Sequence, residues 1–471
     1  MDLLPPDLQF LIQSFLDPSD IVSLRMTCKS FHLASQQRTV WLTALHHVCI
    51  DHGTFMPSFP FENMSVKELE HAALSPSRLV DRLRNDSHED ALEPKRVLPF
   101  EPLDSEAQPY SCNRLCLVPG GRFLFTKSTR NGHIALWDLR NVGTGEEMPW
   151  LPIAMIDDGR LIIMDACPTA DGTGLLLSTY YSLYPSSSDT PVVIYEIYPS
   201  APNPEFRWKG KLNINALIDL NSSPGGRFVF LNGMGDIILW NLATNDSITW
   251  EPPAESIQEL FLMDHYLIIL SSVDITMWEI PIFRKDPVKR CDGDLKRRSE
   301  DDSFGSSQPK WKHTLNYTLN YPTFSEPAIF SVPSSWWPSS GDVAIGVVPA
   351  ENTSEDKMAF FLLESGPTPS WDRPRVRIVS FVGLSNLSRV HDLRLCNNNF
   401  CQRWRSDDDI VITLMSTPSR TDGFESECVA ITRSIFSGPT EDFDFCPVSG
   451  RLVIITEDCK LCVMDFVAPP T

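Results

Sequence analysis

Two stretches decide how this chain is read: VPGGRFLFTKSTRNGHIALWDL, Val118 to Leu139, and SPGGRFVFLNGMGDIILWNL, Ser223 to Leu242. Each runs from a Gly-Gly turn into an apolar strand, through a Gly-containing turn, and back along a second apolar strand that ends in Trp plus Asp or Asn. Glycine supplies the turn conformations that other residues resist, and apolar runs on either side of such a turn form a hairpin. The recurrence of the unit within one chain points to a repeat architecture, in which neighbouring sheets bury each other's faces.

Weaker copies close at Tyr195-Glu196 (PVVIYEI), Trp278-Glu279 (DITMWEI) and Met464-Asp465 (CKLCVMDF), and two further hairpins run from VAIGVV to AFFLLE and from IVITLM to CVAITR. This makes seven candidate blades, with six and eight still open. A dipeptide close to Trp-Asp ending one strand per blade resembles the WD-repeat β-propeller, most clearly in the first and third copies. The resemblance implies a target-binding face built from the loops between second and third strands. Lys127, Arg130 and His133 stand there in the first copy and Asp236 in the third. Arg122 and Arg227 recur in the Gly-Gly-Arg turns and are read as turn residues of the opposite face. One insertion interrupts the pattern: residues 283–312, FRKDPVKRCDGDLKRRSEDDSFGSSQPKWK, are charged and nearly free of aliphatics, which predicts a disordered loop. Its Lys296-Arg-Arg-Ser299 run fits a solvated loop better than a kinase site or a nuclear signal.

Upstream of the repeats the pattern changes to helices. Pro5 and Pro6 fit a helix first turn, and Leu8, Leu11, Ile12, Phe15 and Leu16 share one helical face. Asp17 is placed as the N-cap of a second helix with Pro18 at its first position, lined by Ile21, Leu24 and Cys28. A third helix is expected from Phe31 to Leu42. Three helices in about forty residues bury little surface alone, so a partner or the rest of the chain must complete them.

Leu4-Pro5-x-x-Leu8, Ile12, Leu16-Asp17-Pro18-x-Asp20-Ile21, Leu24-Arg25, Cys28-Lys29-Ser30-Phe31 and a closing Trp41 resemble an F-box over the first 45 residues. Pro6, Gln9 and Cys28 depart from the usual pattern. The resemblance implies docking onto the Skp-type adaptor of an SCF ubiquitin ligase through Leu4, Pro5, Leu8, Ile12, Leu16, Pro18, Ile21, Leu24, Cys28 and Trp41. The plainer alternative is a helical cap packed on its own protein. Residues 46–105 are read as a helical linker that sets spacing and orientation. SVKELEHAALSPSRLVDRLRND is expected to form two helices, the second opened by Ser75-Pro76.

The bulk numbers agree with this division. At 471 residues the chain has room for a small domain and a large all-β unit, and 38 prolines against 23 glycines disfavour a mostly helical fold. A net charge of −21 argues against nonspecific nucleic-acid binding and against an anionic membrane surface, since both require clustered Lys and Arg. The start carries Asp2 and Asp7 where a signal peptide would be basic, no apolar run is long enough to span a bilayer, and twelve Cys are scattered along the chain. Reduced thiols in the cytoplasm and/or nucleus are expected, with the sequons at Asn221 and Asn352 idle.

Catalytic motifs are missing. Phosphate-cradling, nucleophile-elbow and zinc-helix patterns do not occur. His391-Asp392-Leu393-Arg394 has the wrong order for a kinase catalytic loop and is read as strand residues. Cys459-x-x-Cys462 lacks a second pair, and His46, His47, Cys49 and His52 lack zinc spacing, so neither is assigned a metal. No phosphate-binding pocket of convergent arginines is declared.

The expectation is therefore an α+β multidomain protein: an all-α F-box (1–45) and helical linker (46–105) followed by an all-β propeller (106–471). It would be a non-enzymatic substrate receptor without cofactors, bound through the adaptor to a cullin. A non-ligase scaffold and, further off, a propeller enzyme with groups gathered in its central channel are the alternatives.

Overall fold

The structure, a computed structural model, describes residues 4–85, 91–100, 110–139, 151–181, 189–215, 217–223, 226–250, 257–263, 266–271, 274–280, 309–314, 329–331, 336, 343–348, 357–364, 375–383, 389–396, 399–406, 409–416 and 430–467. Among these, five α-helices come first: α1 (Pro6–Ser14), α2 (Pro18–Arg25), α3 (Lys29–Ala34), α4 (Arg38–Asp51) and α5 (Val66–Asn85). Pro6 and Pro18 stand at first helical positions, where the fixed φ suits the turn and the missing N–H is not needed.

Two helix boundaries differ from expectation. Residues 31–42 belong to two helices, because the buried Trp41 indole N–H donates to the Ser35 carbonyl at 2.7 Å, an acceptor that a continuous helix would have consumed. Conversely, α5 is one helix with Pro76 inside it. An interior proline removes a hydrogen bond and crowds the carbonyl four residues back, at about 3 kcal/mol. Here the Ser75 hydroxyl donates to the His71 carbonyl at 2.8 Å, and burial of Leu69, Ala72, Ala73, Leu79, Val80 and Leu83 on both sides of the proline holds the helix together.

A strand, β1 (Arg96–Phe100), follows within the segment expected to be a helical linker. Seven four-stranded antiparallel sheets are then present among the described residues. The first contains β2 (Cys112–Leu117), β3 (Phe123–Ser128), β4 (Ile134–Asp138) and β5 (Ala154–Ile156). The second contains β6 (Leu161–Pro168), β7 (Leu175–Tyr181), β8 (Asp189–Ile197) and β9 (Arg207–Asn215). The third contains β10 (Leu217–Ser223), β11 (Arg227–Asn232), β12 (Ile237–Asn241) and β13 (Asp246–Trp250), and the fourth β14 (Ile257–Met263), β15 (Tyr266–Ser271), β16 (Asp274–Glu279) and β17 (Trp311–Thr314). The fifth is β18 (Ile329–Ser331), β19 (Val343–Val348), β20 (Lys357–Glu364) and β21 (Arg375–Gly383), and the sixth β22 (Arg389–Cys396), β23 (Asn399–Ser406), β24 (Asp409–Ser416) and β25 (Ala430–Ser437). The seventh joins β26 (Thr440–Cys446), β27 (Arg451–Thr456) and β28 (Leu461–Asp465) to β1, with Arg96 opposite Asp465 and Phe100 opposite Leu461.

The Trp-Asp-like dipeptides Trp137-Asp138, Trp240-Asn241, Trp278-Glu279 and Met464-Asp465 each end the third strand of a sheet, and Tyr195-Glu196 lies one residue from such an end. Of the insertion, residues 283–308 lie outside the described residues, whereas Trp311 and Lys312 belong to β17 and pair with Met277 and Thr276. First strands of successive sheets touch: β2 meets β6, β6 meets β10, and so on to β22, while β26 returns to β2. Side chains tie these inner strands together. Asp442 and Asp444 accept from the Leu115 and Leu117 amides at 3.0 and 2.8 Å, the Ser222 hydroxyl donates to Asp165 at 2.8 Å, and Asn221 accepts from the Leu262 amide at 3.2 Å.

The turn arginines act as clamps at the other end of the strand pairs. Arg122 donates to both oxygens of Asp138, and Arg451 to both of Asp465, so the residue entering the second strand grips the one leaving the third. In the third sheet Arg227 lies opposite Asn241, as Arg451 lies opposite Asp465 in the seventh.

The helical region and the sheets share cores. Ile21, Val40, Trp41, Ala44, Leu45 and Cys49 pack with Leu69, Ala72, Ala73 and Leu74 of α5, so the first 45 residues are completed by the segment expected to be a linker. Further along, Leu79, Val80, Leu83 and Leu92 pack with Cys396, Phe445, Leu452 and Phe466 of the sixth and seventh sheets. Phe55 sits edge-on to Phe123, and its amide donates to the Pro119 carbonyl at 3.1 Å. Gly120, at φ +106, leaves no room for a Cβ beside Ser58. The helices therefore cover turns between the first and second strands of the first, sixth and seventh sheets.

Candidate partner-docking surface

The helix α1 is built against the usual rule. Its most buried residues are Gln9 and Gln13, at 5% and 1% exposure, beside a partly buried Phe10, while Leu8, Leu11, Ile12 and Phe15 face outward, Phe15 at 80%. The glutamines are only partly satisfied inside. Gln9 donates to the Leu4 carbonyl and accepts from Ser30, each at 2.8 Å. Gln13 reaches the Phe31 carbonyl at 3.5 Å, and its own amide oxygen is buried with no hydrogen-bond partner. Rotating α1 would hide the leucines and hydrate the amides. The sequence instead keeps an apolar stripe on the outside of α1, and Met26 and Leu33 of the same helical module are exposed as well.

The residues expected at the adaptor contact divide into two groups. Leu8, Ile12 and Pro5 are exposed; Leu4, Leu16, Pro18, Leu24 and Cys28 are half-buried. Ile21 and Trp41 are internal, at 1% and 0% exposure, so they support the surface from beneath and do not form it. Leu11 and Phe15 complete the exposed stripe of α1, and Met26 and Leu33 are further exposed apolar residues of the module. Leu11 and Phe15 were visible in the helical spacing, whereas Met26 follows the last helical residue of α2 and carries no periodic signal. The module is stiffened by Arg25, which spans Ser35 at 2.8 Å and both oxygens of Glu70 at 2.9 Å while lying 5.3 Å over the Trp41 ring.

The four residues expected at a target-binding face lie at loops between second and third strands, on the side away from the helices by the alternation of an antiparallel meander. His133 Nε2 is 2.6 Å from Asp157 of the loop leading to β6. Lys127 ends the apolar row of β3, and burial pulls its ammonium pKa down. Arg130 is exposed in the β3–β4 turn. Asp236 is employed in its own turn, where its carboxylate accepts from Asn232 at 2.9 Å and its amide donates to the Asn232 side chain. The first sheet thus gathers three of the four, and Asp236 stands apart as a turn residue.

Among the described residues no His, Cys, Asp and Glu group has the geometry of a metal site. Cys49 is buried in the helical core, which pushes its thiol pKa up, and burial pulls His52 down. Cys459 occupies a turn at φ 60 and Cys462 lies on β28, while the His391–Arg394 run belongs to β22, where Arg394 donates to the Phe445 carbonyl at 3.0 Å. Among the described residues no disulfide joins the cysteines, and no helix is long and apolar enough to cross a membrane.

Residues 1–46 match the F-box-like family model. No curated protein matches the chain. Among solved structures, the chain is similar to the β-propeller domain of Myceliophteria thermophila Cps50 (Swd1), at 8% identity and a TM-score of 0.43 over 75% of this chain and 95% of that one. It is also similar to the C-terminal WD40 domain of Sif2, at 9% identity and a TM-score of 0.40 over 77% and 83%. The propeller-like reading stands on this chain's own succession of sheets.

Proposed function

We propose that the chain is a substrate-receiving subunit of an SCF-type ubiquitin ligase: the helical start docks on a Skp-type adaptor, through it on a cullin, and the sheets hold a target protein. The outward stripe of Leu8, Leu11, Ile12 and Phe15 over buried glutamines carries this reading, because an apolar face of that kind is stabilised only when another protein covers it. The F-box-like match over the same residues supports the choice of partner. In this role the chain performs no chemistry. It raises the effective concentration of a target lysine beside a charged conjugating enzyme, and other subunits transfer ubiquitin. The cytoplasm and/or nucleus is where such a complex would work.

Deleting residues 1–45 would expose Leu69, Ala72 and Leu74 of α5 and confuse loss of docking with loss of fold. The cleaner test is co-expression of the full chain with the adaptor, as wild type and as Phe15→Asp, followed by size-exclusion chromatography. A stoichiometric complex lost only in the variant sustains the reading. A wild-type chain that elutes alone overturns it and favours a scaffold outside any ligase, whose targets would bind without a change in lifetime.

A further inference from the structure

Beyond the docking stripe, the face that carries Lys127 and His133 holds a patch of cations. Phe123 and Phe125 of β3 pack with Leu161, Leu175 and Leu177 of the second sheet, and by strand alternation Lys127 continues their row to the loop end. On the facing side, Leu175 and Leu177 of β7 lead to Tyr181 at the same end. Two cations flank that ring: the Arg160 guanidinium carbon lies 5.0 Å from its centroid and Lys211 Nζ 5.9 Å. Asp158 fixes Arg160 through Nε and a terminal nitrogen at 3.1 and 3.2 Å. The two loops are pressed together, since a Cβ on Gly132 would meet the Gly159 carbonyl oxygen at 2.4 Å.

The acids here are already engaged, Asp157 by His133 and Asp158 by Arg160. Among the described residues, neither Lys127 nor Lys211 has a carboxylate at ion-pair distance. Burial already disfavours the charge on Lys127, so an anion brought to it is stabilising. In a chain of net charge −21 most of the surface repels acidic partners, and a local excess of cations defines where one can land.

We propose that this patch between the first and second sheets takes a carboxylate-rich segment of a target protein, with Asp or Glu side chains on Lys127 and Lys211 beside the Arg160–Asp158 pair and an apolar neighbour against Tyr181. This rests on the reading of the open face as the target-holding face. The test is fluorescence anisotropy of the labelled octapeptide EELEEDEE with the full chain bound to its adaptor, with KKLKKRKK as the charge-reversed control. Arg160 and Lys211 are exposed, so the double variant Arg160→Glu, Lys211→Glu keeps the fold, which circular dichroism checks. The expected result is binding of the acidic peptide alone, weakened about tenfold or more in the variant and by added salt. Equal binding by wild type and variant, or no binding of the acidic peptide, overturns the proposal. Acidic-peptide binding by a chain that ignores the adaptor keeps the patch and removes the ligase reading; an adaptor complex that ignores the peptide does the reverse.

Discussion

The helices α1 and α5 lie in one module and solve opposite problems. In α5 the apolar residues Leu69, Leu79, Val80 and Leu83 are at most 1% exposed, and Lys67, Glu68, Arg78, Asp81 and Arg84 face water. In α1 the two glutamines are inside and Leu11 and Phe15 outside. The contrast teaches how to separate residues that make the fold from residues that await another protein. α5 finishes its burial within the chain, against α2 and α4 at one end and the sixth and seventh sheets at the other. α1 leaves its burial to be finished elsewhere.

Substitutions on the two helices put this contrast at risk. Leu79→Ala on α5 should lower unfolding stability by about 2 to 5 kcal/mol in a denaturant titration, since the cavity opens in a core shared by helices and sheets. A loss below that range would break the claim that α5 belongs to the sheet core. Phe15→Ala on α1 should do the reverse, weakening adaptor binding by about 2 kcal/mol in calorimetry while stability stays within about 0.5 kcal/mol of wild type. Gln13→Met sharpens the inside of α1: its unpartnered amide oxygen leaves the core, and the Phe31 carbonyl keeps its bond from the Ser35 amide at 2.9 Å. Stability should then hold or rise by about 1 kcal/mol; a clear fall would show that the amide contact outweighs its burial.

A pH dependence is also expected within α5. Burial first, and then the Arg78 guanidinium 2.9 Å from Nδ1, hold His71 down at about 4 from an ordinary 6.5. Between those values the unfolded chain binds a proton that the folded chain does not, so stability falls as pH drops from 6.5 toward 4. His71→Gln should flatten that part of a stability-versus-pH curve. An unchanged slope would assign it to other groups.

Much of this was legible from local chemistry. Gly-Gly turns and apolar runs ending at Trp137-Asp138 and Trp240-Asn241 announce strand pairs because backbone geometry and alternation act over a few residues. The F-box-like spacing was equally local. What stayed hidden depends on distant partners. Nothing around Arg96–Phe100 says that its mate is Leu461–Asp465, and a proline beside Ser75 reads as a helix start until its buried surroundings are known. The inside-out packing of α1 is hidden for the same reason. Its period names an apolar face correctly, but only the positions of α3 and α4 decide that Gln9 and Gln13 turn inward. At the open face, Lys127 and His133 were found through the repeat, whereas Arg160, Tyr181 and Lys211 come from a blade whose copy is degraded and became visible only when two sheets were placed side by side.

The pairing of β1 with β28 carries a consequence in time. The edge of β28 that β1 covers is made long after β1 itself, so during synthesis β1 waits for about 360 intervening residues. At the usual pace of translation that is roughly 20 to 70 seconds. Through that interval the nascent protein holds an unmatched strand beside an uncovered apolar helix, two features that invite wrong associations. A message broken before β28 is encoded would leave β1 without its partner, so the pairing of Arg96–Phe100 with Leu461–Asp465 reports that all seven sheets have been made.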